Sequence, residues 1–238
     1  MKQHGPRPFL RAEWRNLLMI NYTVDLGVLL PHLPTGTQID LWQGRAYVSL
    51  VGFRFLNTRV LGVPIPFHRN FDEVNLRFYI RRRIGNEWRK GVVFVKEIVP
   101  RWAIAFVART IYNENYVCHA MRNSVNIPGE VKYEWRHNGS WEHIAATTVG
   151  EPIAPSVDSK ETFITEHYWG YAKQRDGSTM EYAVEHPAWR VWRCESPKFM
   201  ADAGRLYGEA FAPYLNASPA SAFLAEGSPV VVRRGVRL

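Results

Sequence analysis

Cysteine is scarce in this chain: Cys118 and Cys194 are the only two among 238 residues. Two thiols are too few for the disulfide framework of a small secreted domain, and too few for a zinc site built on paired Cys-x-x-Cys motifs. Both are expected to be reduced, with Cys118 an ordinary buried thiol. Long apolar runs are missing as well. Near the start, Arg11, Glu13 and Arg15 precede a short run from Leu17 to Ile20 that Asn21 ends. Neither a signal peptide nor a membrane span is written there, and the cytoplasm is the expected compartment. No low-complexity linker, shift of composition or repeat of fixed period divides the chain, so one domain over residues 1–238 is expected. There is no P-loop, no Gly-x-Gly-x-x-Gly strand-to-helix turn and no Gly-x-Ser-x-Gly elbow, and no cofactor is expected.

Apolar and aromatic residues, by contrast, are plentiful. Hydrophobic residues make up 46% and aromatics 13%, including nine Trp, which is enough to fill a sizeable core. Together with 15 Pro and 17 Gly, they suit many short strands joined by turns better than a helical bundle. The fold class expected is α+β with mostly antiparallel strands. The net charge of +8 fits an anionic partner. Arg81, Arg82 and Arg83 form the one dense basic run, with Arg233, Arg234 and Arg237 near the end. Neither group is interleaved with the aromatic and glycine pattern of an RNA-recognition strand. A solvated basic edge that blocks strand pairing is the plainer reading, which argues against nucleic acid, while an anionic membrane or a small anionic metabolite stays compatible with the charge.

Local patterns place the elements. A strand is expected over 15–24, a short helix capped by Asp25, and strands over 45–56, 72–83 and 88–99, the last two joined by a hairpin turn at Gly85-Asn86. Pro100 opens a helix over 101–112, where Ile104, Val107, Ala108 and Ile111 recur at helical spacing. Strands follow over 116–126, 131–137 and 141–149, with a turn at 137–140. Next come a short helix near 159–164, a hairpin turning at Asp176-Gly177, a strand near 189–194, a helix near 200–210 and a closing strand at 230–233.

The most informative of these is Glu73-Val74-Asn75-Leu76-Arg77-Phe78-Tyr79-Ile80. A period of two sends Val74, Leu76, Phe78 and Ile80 to one face and Glu73, Asn75, Arg77 and Tyr79 to the other. The first face is core. The second faces solvent, as half-wet strands commonly do, or lines an internal cavity.

The Glu-x-Asn-x-Arg strand resembles the signature of the YqjF-like family, domain of unknown function 2071 (DUF2071). Gly91-Val92-Val93-Phe94 resembles that family's next strand, and Ala108 through Tyr116, followed by His119-Ala120-Met121, resembles its helix-to-strand junction. The likeness extends from near Arg15 to Glu166-His167-Tyr168 and His186-Pro187-Ala188-Trp189, most of the chain. The family resembles acetoacetate decarboxylases in fold, which implies a β-barrel or sandwich with a few short helices. Arg15 to Asp25 is similar to the decarboxylase opening strand, with Arg15 where those enzymes carry an active-site arginine. Asp72-Glu73-Val74 is similar to the segment that holds an active-site glutamate.

Decarboxylases of this type use a lysine of depressed pKa to form a Schiff base with a β-keto acid. Where they carry adjacent lysines, this chain has Asn115 to Met121 and no lysine. Lys96 and Lys132 fall elsewhere and read as solvated, so Schiff-base chemistry is disfavoured. The resemblance leaves a polar pocket with Glu73 and Arg15 as catalytic candidates and Asn75, Arg77, Tyr116 and His119 as substrate-binding candidates. Two arginines would hold a carboxylate or enolate while Glu73 takes a proton. The alternative is a charge network that satisfies only itself. No metal site is expected: His137 and His143 flank a turn without a third ligand. Cys118-His119, Glu166-His167 and Glu185-His186 are neighbours in sequence whose side chains face apart, and no role follows from their adjacency.

Overall fold

The computed structural model describes residues 7–64, 67–100 and 115–238. The expected helix at 101–112 lies outside them. Fifteen strands are described: β1 (Pro8–Val24), β2 (Gln38–Ile39), β3 (Ala46–Val60), β4 (Val63–Pro64), β5 (Phe71–Ile84), β6 (Glu87–Val99), β7 (Tyr116–Cys118), β8 (Met121–Val125), β9 (Gly129–His137), β10 (Ser140–Ile153), β11 (Trp169–Lys173), β12 (Thr179–Glu185), β13 (Val191–Met200), β14 (Ser221–Arg233) and β15 (Val236–Arg237). The helices are short: α1 (Leu26–Leu29), α2 (Lys160–Thr165), α3 (Ala203–Tyr207) and α4 (Ala212–Leu215).

The turn residues sit where the sequence places them. The Asn138-Gly139 pair, at φ of 48° and 84°, joins β9 to β10 by a two-residue hairpin, and Gly85 at φ of 58° joins β5 to β6. Ser159 caps α2 by accepting from the Thr162 amide at 3.2 Å. The helix expected over 200–210 is shorter, α3 alone, and the separate α4 follows beyond it. Met200 still belongs to β13, Gly208 at φ of 103° ends α3, and Pro213 sits in the first turn of α4.

The strands pair in the order β12-β11-β6-β5-β3-β1-β14, and a further β12–β14 pairing closes the circuit. Among the described residues only β11–β6 and β6–β7 are parallel. Strands β13, β10, β9 and β8 extend from β14 as a leaf, while β2, β4, β7 and β15 pair with β5, β3, β6 and β12. Closure leaves the strands with two buried faces. Leu18, Ile20, Leu50, Leu76 and Phe78 pack on one side with Tyr133 and Trp135 of the leaf and Leu206 and Phe211 of the helical segment. Leu17, Met19, Val51, Phe53 and Tyr79 point the other way, into a second apolar cluster. Each such side chain contributes about 1.5–3 kcal/mol on burial, so both faces resist a register slip, which would exchange them wholesale.

A bulge breaks the period in β1. Arg15 pairs with Arg54 and Leu18 with Gly52 on β3, so three residues of β1 span two of its partner. Asn16 absorbs the extra residue at φ of 55°, a left-handed conformation that Asn tolerates. Gly227 lies opposite Arg15, where an added Cβ would come within 2.0 Å of the Trp14 carbonyl oxygen.

Candidate functional site

Inside the circuit of strands lies a cavity of about 210 Å³. Its walls are mainly apolar, with Trp14, Leu17, Phe53 and Phe55 from β1 and β3 and Trp189 from the segment before β13. Three of its polar groups come from β5. Glu73, Asn75 and Arg77 all line it and are buried, Arg77 being 9% exposed and the other two less. The period of two therefore holds along β5, and the face that a half-wet strand would give to solvent is internal.

The Asn75 amide donates to Glu73 Oε1 at 2.9 Å, while Asn75 Oδ1 is buried with no partner among the described residues. The Arg77 guanidinium donates to the Ile164 carbonyl at 3.2 Å, lies 3.9 Å from the Met19 sulfur, and sits 5.7 Å from the centre of the Tyr79 ring. Its Nε has no partner, and no carboxylate lies within ion-pair distance of Arg77 among the described residues. A buried cation without a counter-charge costs several kcal/mol.

Two expected members lie elsewhere. Arg15 is bonded to Glu13 at 2.7 and 3.1 Å, with the Gly227 carbonyl at 3.4 Å, and does not line the cavity. The reason is the bulge. An unbroken alternation would put Arg15 on the face of Leu17, but the extra residue at Asn16 leaves Trp14 and Leu17 facing the cavity and turns Arg15 away. His119 is half-buried, edge-on to His137 at 5.3 Å, and is also outside. Tyr116 does line the cavity and is buried.

Other expectations need correcting. Cys118 is exposed; Cys194 is the partly buried thiol, pushed up to about 12 by burial. Lys96 is half-buried rather than solvated. It donates to the Leu206 carbonyl, and burial pulls its amine below the ordinary lysine value. A second bulge explains this. Leu76 pairs with Lys96 but Arg77 with Phe94, so Val92, Phe94 and Glu97 face the cavity and Lys96 does not.

Among the cavity residues that the sequence reading did not place in the pocket are Glu97, His167 and His186. Glu97 depends on the β6 bulge, which nothing local announces. The histidines stand in the two motifs that carried the resemblance near its far end, and judging them only as partners of Glu166 and Glu185 passed them over. His167 Nε2 lies 3.3 Å from Asp40 Oδ2, with both side chains buried. Burial drives His167 below the ordinary histidine value, against the pull of Asp40. Burial alone would raise Asp40, but the His167 hydrogen bond and the charges of His167, Lys90 and Arg81 hold it below its ordinary value. His186 stacks on Trp189 at 4.1 Å, and its Nδ1 donates to the Pro187 carbonyl at 2.9 Å. Burial first, and the Arg77 charge after it, bring its pKa down to about 4 although the Pro187 contact opposes them. Both rings are therefore neutral at neutral pH.

Known proteins show the same pattern at two levels. By fold, the chain is similar to acetoacetate decarboxylase from Legionella pneumophila (TM-score 0.69, 11% identity, covering 100% of this chain and 93% of that one). It is also similar to the enduracididine biosynthesis enzyme MppR complexed with pyruvate (TM-score 0.67, 12% identity, 99% and 91%). At such identities the likeness is one of fold. By sequence, it is 26% identical over 191 residues to the uncharacterized protein YqjF of Bacillus subtilis (strain 168), covering 79% of this chain and 76% of that protein. The model of DUF2071, described as an uncharacterized conserved protein, matches residues 11–229. The chain belongs to the DUF2071 family.

Proposed function

We propose that the cavity holds a small carboxylate-bearing carbonyl compound, with Arg77 as its anion anchor and Glu73 as the group that exchanges a proton with it. The observation that carries this reading is Arg77: a buried guanidinium on a cavity wall, with no carboxylate within reach among the described residues. An incoming carboxylate would supply the missing charge through short charge-assisted hydrogen bonds, in apolar surroundings that strengthen them. Glu73 shares that wall two residues away, and Asn75 fixes one of its oxygens. A carboxylate so placed suits abstraction of a proton next to a carbonyl, the resulting enolate resting on Arg77. No lysine is among the described residues that line the cavity, which supports a mechanism without an imine. MppR binds pyruvate on the same fold, and that lends pyruvate the status of a first probe.

Two measurements test the proposal. A thermal-shift survey should find small keto acids that raise the melting temperature while their amides do not, and Arg77→Met should abolish the effect. In D2O, the methyl protons of bound pyruvate should exchange in the presence of the protein and not with Glu73→Gln. Binding without exchange would make the domain a non-catalytic receptor. If instead Glu73→Gln lowers stability by about 3 kcal/mol or more, Glu73 belongs to a self-satisfying buried ion pair and the catalytic role is lost.

A further inference from the structure

Among the cavity's polar side chains outside β5 is His167, which is backed by Asp40. Asp40 follows β2, where its amide donates to the Tyr79 carbonyl at 2.9 Å. His167 stands between α2 and β11. Its ring lies 4.9 Å from the Tyr79 ring and 5.1 Å edge-on to Phe163. Tyr79 is itself held: its hydroxyl and Ser49 Oγ are 2.5 Å apart, and Ser49 Oγ donates to Asn21 Oδ1 at 2.6 Å. Ser49 has one proton to give, so Tyr79 must donate to Ser49. The imidazole is thus gripped by rigid neighbours on three sides.

The tautomer follows from the partners. A carboxylate accepts, so the proton facing Asp40 sits on His167 Nε2. In a neutral ring the other nitrogen then carries a lone pair. That nitrogen, Nδ1, is buried with no partner among the described residues, on a side chain that lines the cavity and is 1% exposed. Asn75 Oδ1, in the same wall system, is a second buried acceptor in the same condition. Leaving a buried acceptor unmet costs about 1–3 kcal/mol, and here both acceptors belong to residues that line the same cavity as Arg77, which has no carboxylate in ion-pair distance among the described residues.

Resting on the reading of Arg77 as an anion anchor, we infer that the ligand is a hydroxy acid, or a keto acid in its enol form, whose hydroxyl donates to His167 Nδ1 while its carboxylate meets Arg77. Arg77 and His167 both line the cavity and both lie near the Tyr79 ring, at 5.7 and 4.9 Å. Asp40 is a positioning residue: by accepting from Nε2 it leaves the lone pair on Nδ1, as a carboxylate does for a neighbouring imidazole.

Calorimetric titration with matched pairs, lactate against propionate and 3-phenyllactate against 3-phenylpropionate, tests this directly. The hydroxy acid of each pair should bind about tenfold tighter or more to the wild-type chain. In His167→Leu that preference should vanish while the deoxy acid binds as before. Equal binding of both acids to the wild type overturns the inference and leaves the Arg77 reading standing, whereas binding of neither removes both. Long-range 1H–15N NMR of the wild type needs no variant to fold. It should show Nε2 protonated and Nδ1 bare, with the Nδ1 signal moving when the hydroxy acid is added. In Asp40→Leu the single tautomer should give way to a mixture. A protonated Nδ1 in the wild type, or a signal indifferent to the hydroxy acid, contradicts the assignment.

Discussion

At the scale of single residues, the cavity combines charge and neutrality in an order that solution measurements can read. Arg77 is buried with no carboxylate in ion-pair distance among the described residues, so its removal should cost the empty protein little. Arg77→Met is expected to change unfolding free energy by no more than about 1 kcal/mol, because the lost Ile164 hydrogen bond is offset by relief of a desolvated charge. A structural ion pair broken in the same way would cost about 3–5 kcal/mol, and urea titration separates the two cases. The histidines make a second prediction. His186 titrates near 4 in the fold against about 6.5 unfolded, so below 6.5 the unfolded chain binds more protons than the native one. Its neutral form contributes stability that is complete above pH 6.5 and lost as pH falls through 4, up to about 3 kcal/mol. His167 is shifted in the same direction. Unfolding midpoints at pH 7.5 and 5 should differ for the wild type, and less so for His186→Phe; equal slopes would show that the ring is not a source of the pH dependence. The β5 trio was legible in the sequence because its alternation is unbroken. Glu97 and Arg15 were not, because each depends on a bulge.

At the scale of elements, those bulges decide which side chains reach the cavity. In β1, Asn16 holds a left-handed conformation that a β-branched residue enters only at a cost of about 1–2 kcal/mol. Asn16→Val should therefore destabilise by that amount, while Asn16→Gly should be nearly neutral. Gly227→Ala should be worse than either, since its Cβ would meet the Trp14 carbonyl backbone at 2.0 Å. Denaturant midpoints check the ranking, and an Asn16→Val protein as stable as the parent would show that the bulge relaxes freely. Strand positions and turns could be read locally, since Asn138-Gly139, Gly85 and Gly177 all sit at positive φ where a turn was expected. The early end of the helix near 200–210 was less visible: Gly208 stops α3 after Tyr207, and α4 starts separately with Pro213 in its first turn.

For the whole molecule, the closed circuit of pairings ties distant parts of the chain together. β1 pairs with β3 and with β14, and β14 returns to β12. Removing any one of these strands opens the cavity and exposes two buried faces, so the chain is expected to unfold in a single transition by circular dichroism and by tryptophan fluorescence together. Two separated transitions, or two stable halves after limited proteolysis, would divide it into domains. Strand-rich composition and turn spacing made the class legible, whereas closure did not follow from local patterns, because the β12–β14 contact joins residues far apart in sequence. Among the described residues no helix is long and apolar enough to cross a membrane.

The central claim is that this closed interior is built around a bound anion. A crystal structure of the chain grown with the keto or hydroxy acid that gives the largest thermal shift tests it most directly. The ligand carboxylate is expected within hydrogen-bond distance of the Arg77 guanidinium, with Glu73 facing the adjacent carbon. A cavity that stays empty at saturating acid, or an acid seated on the outer surface away from Arg77, would contradict it.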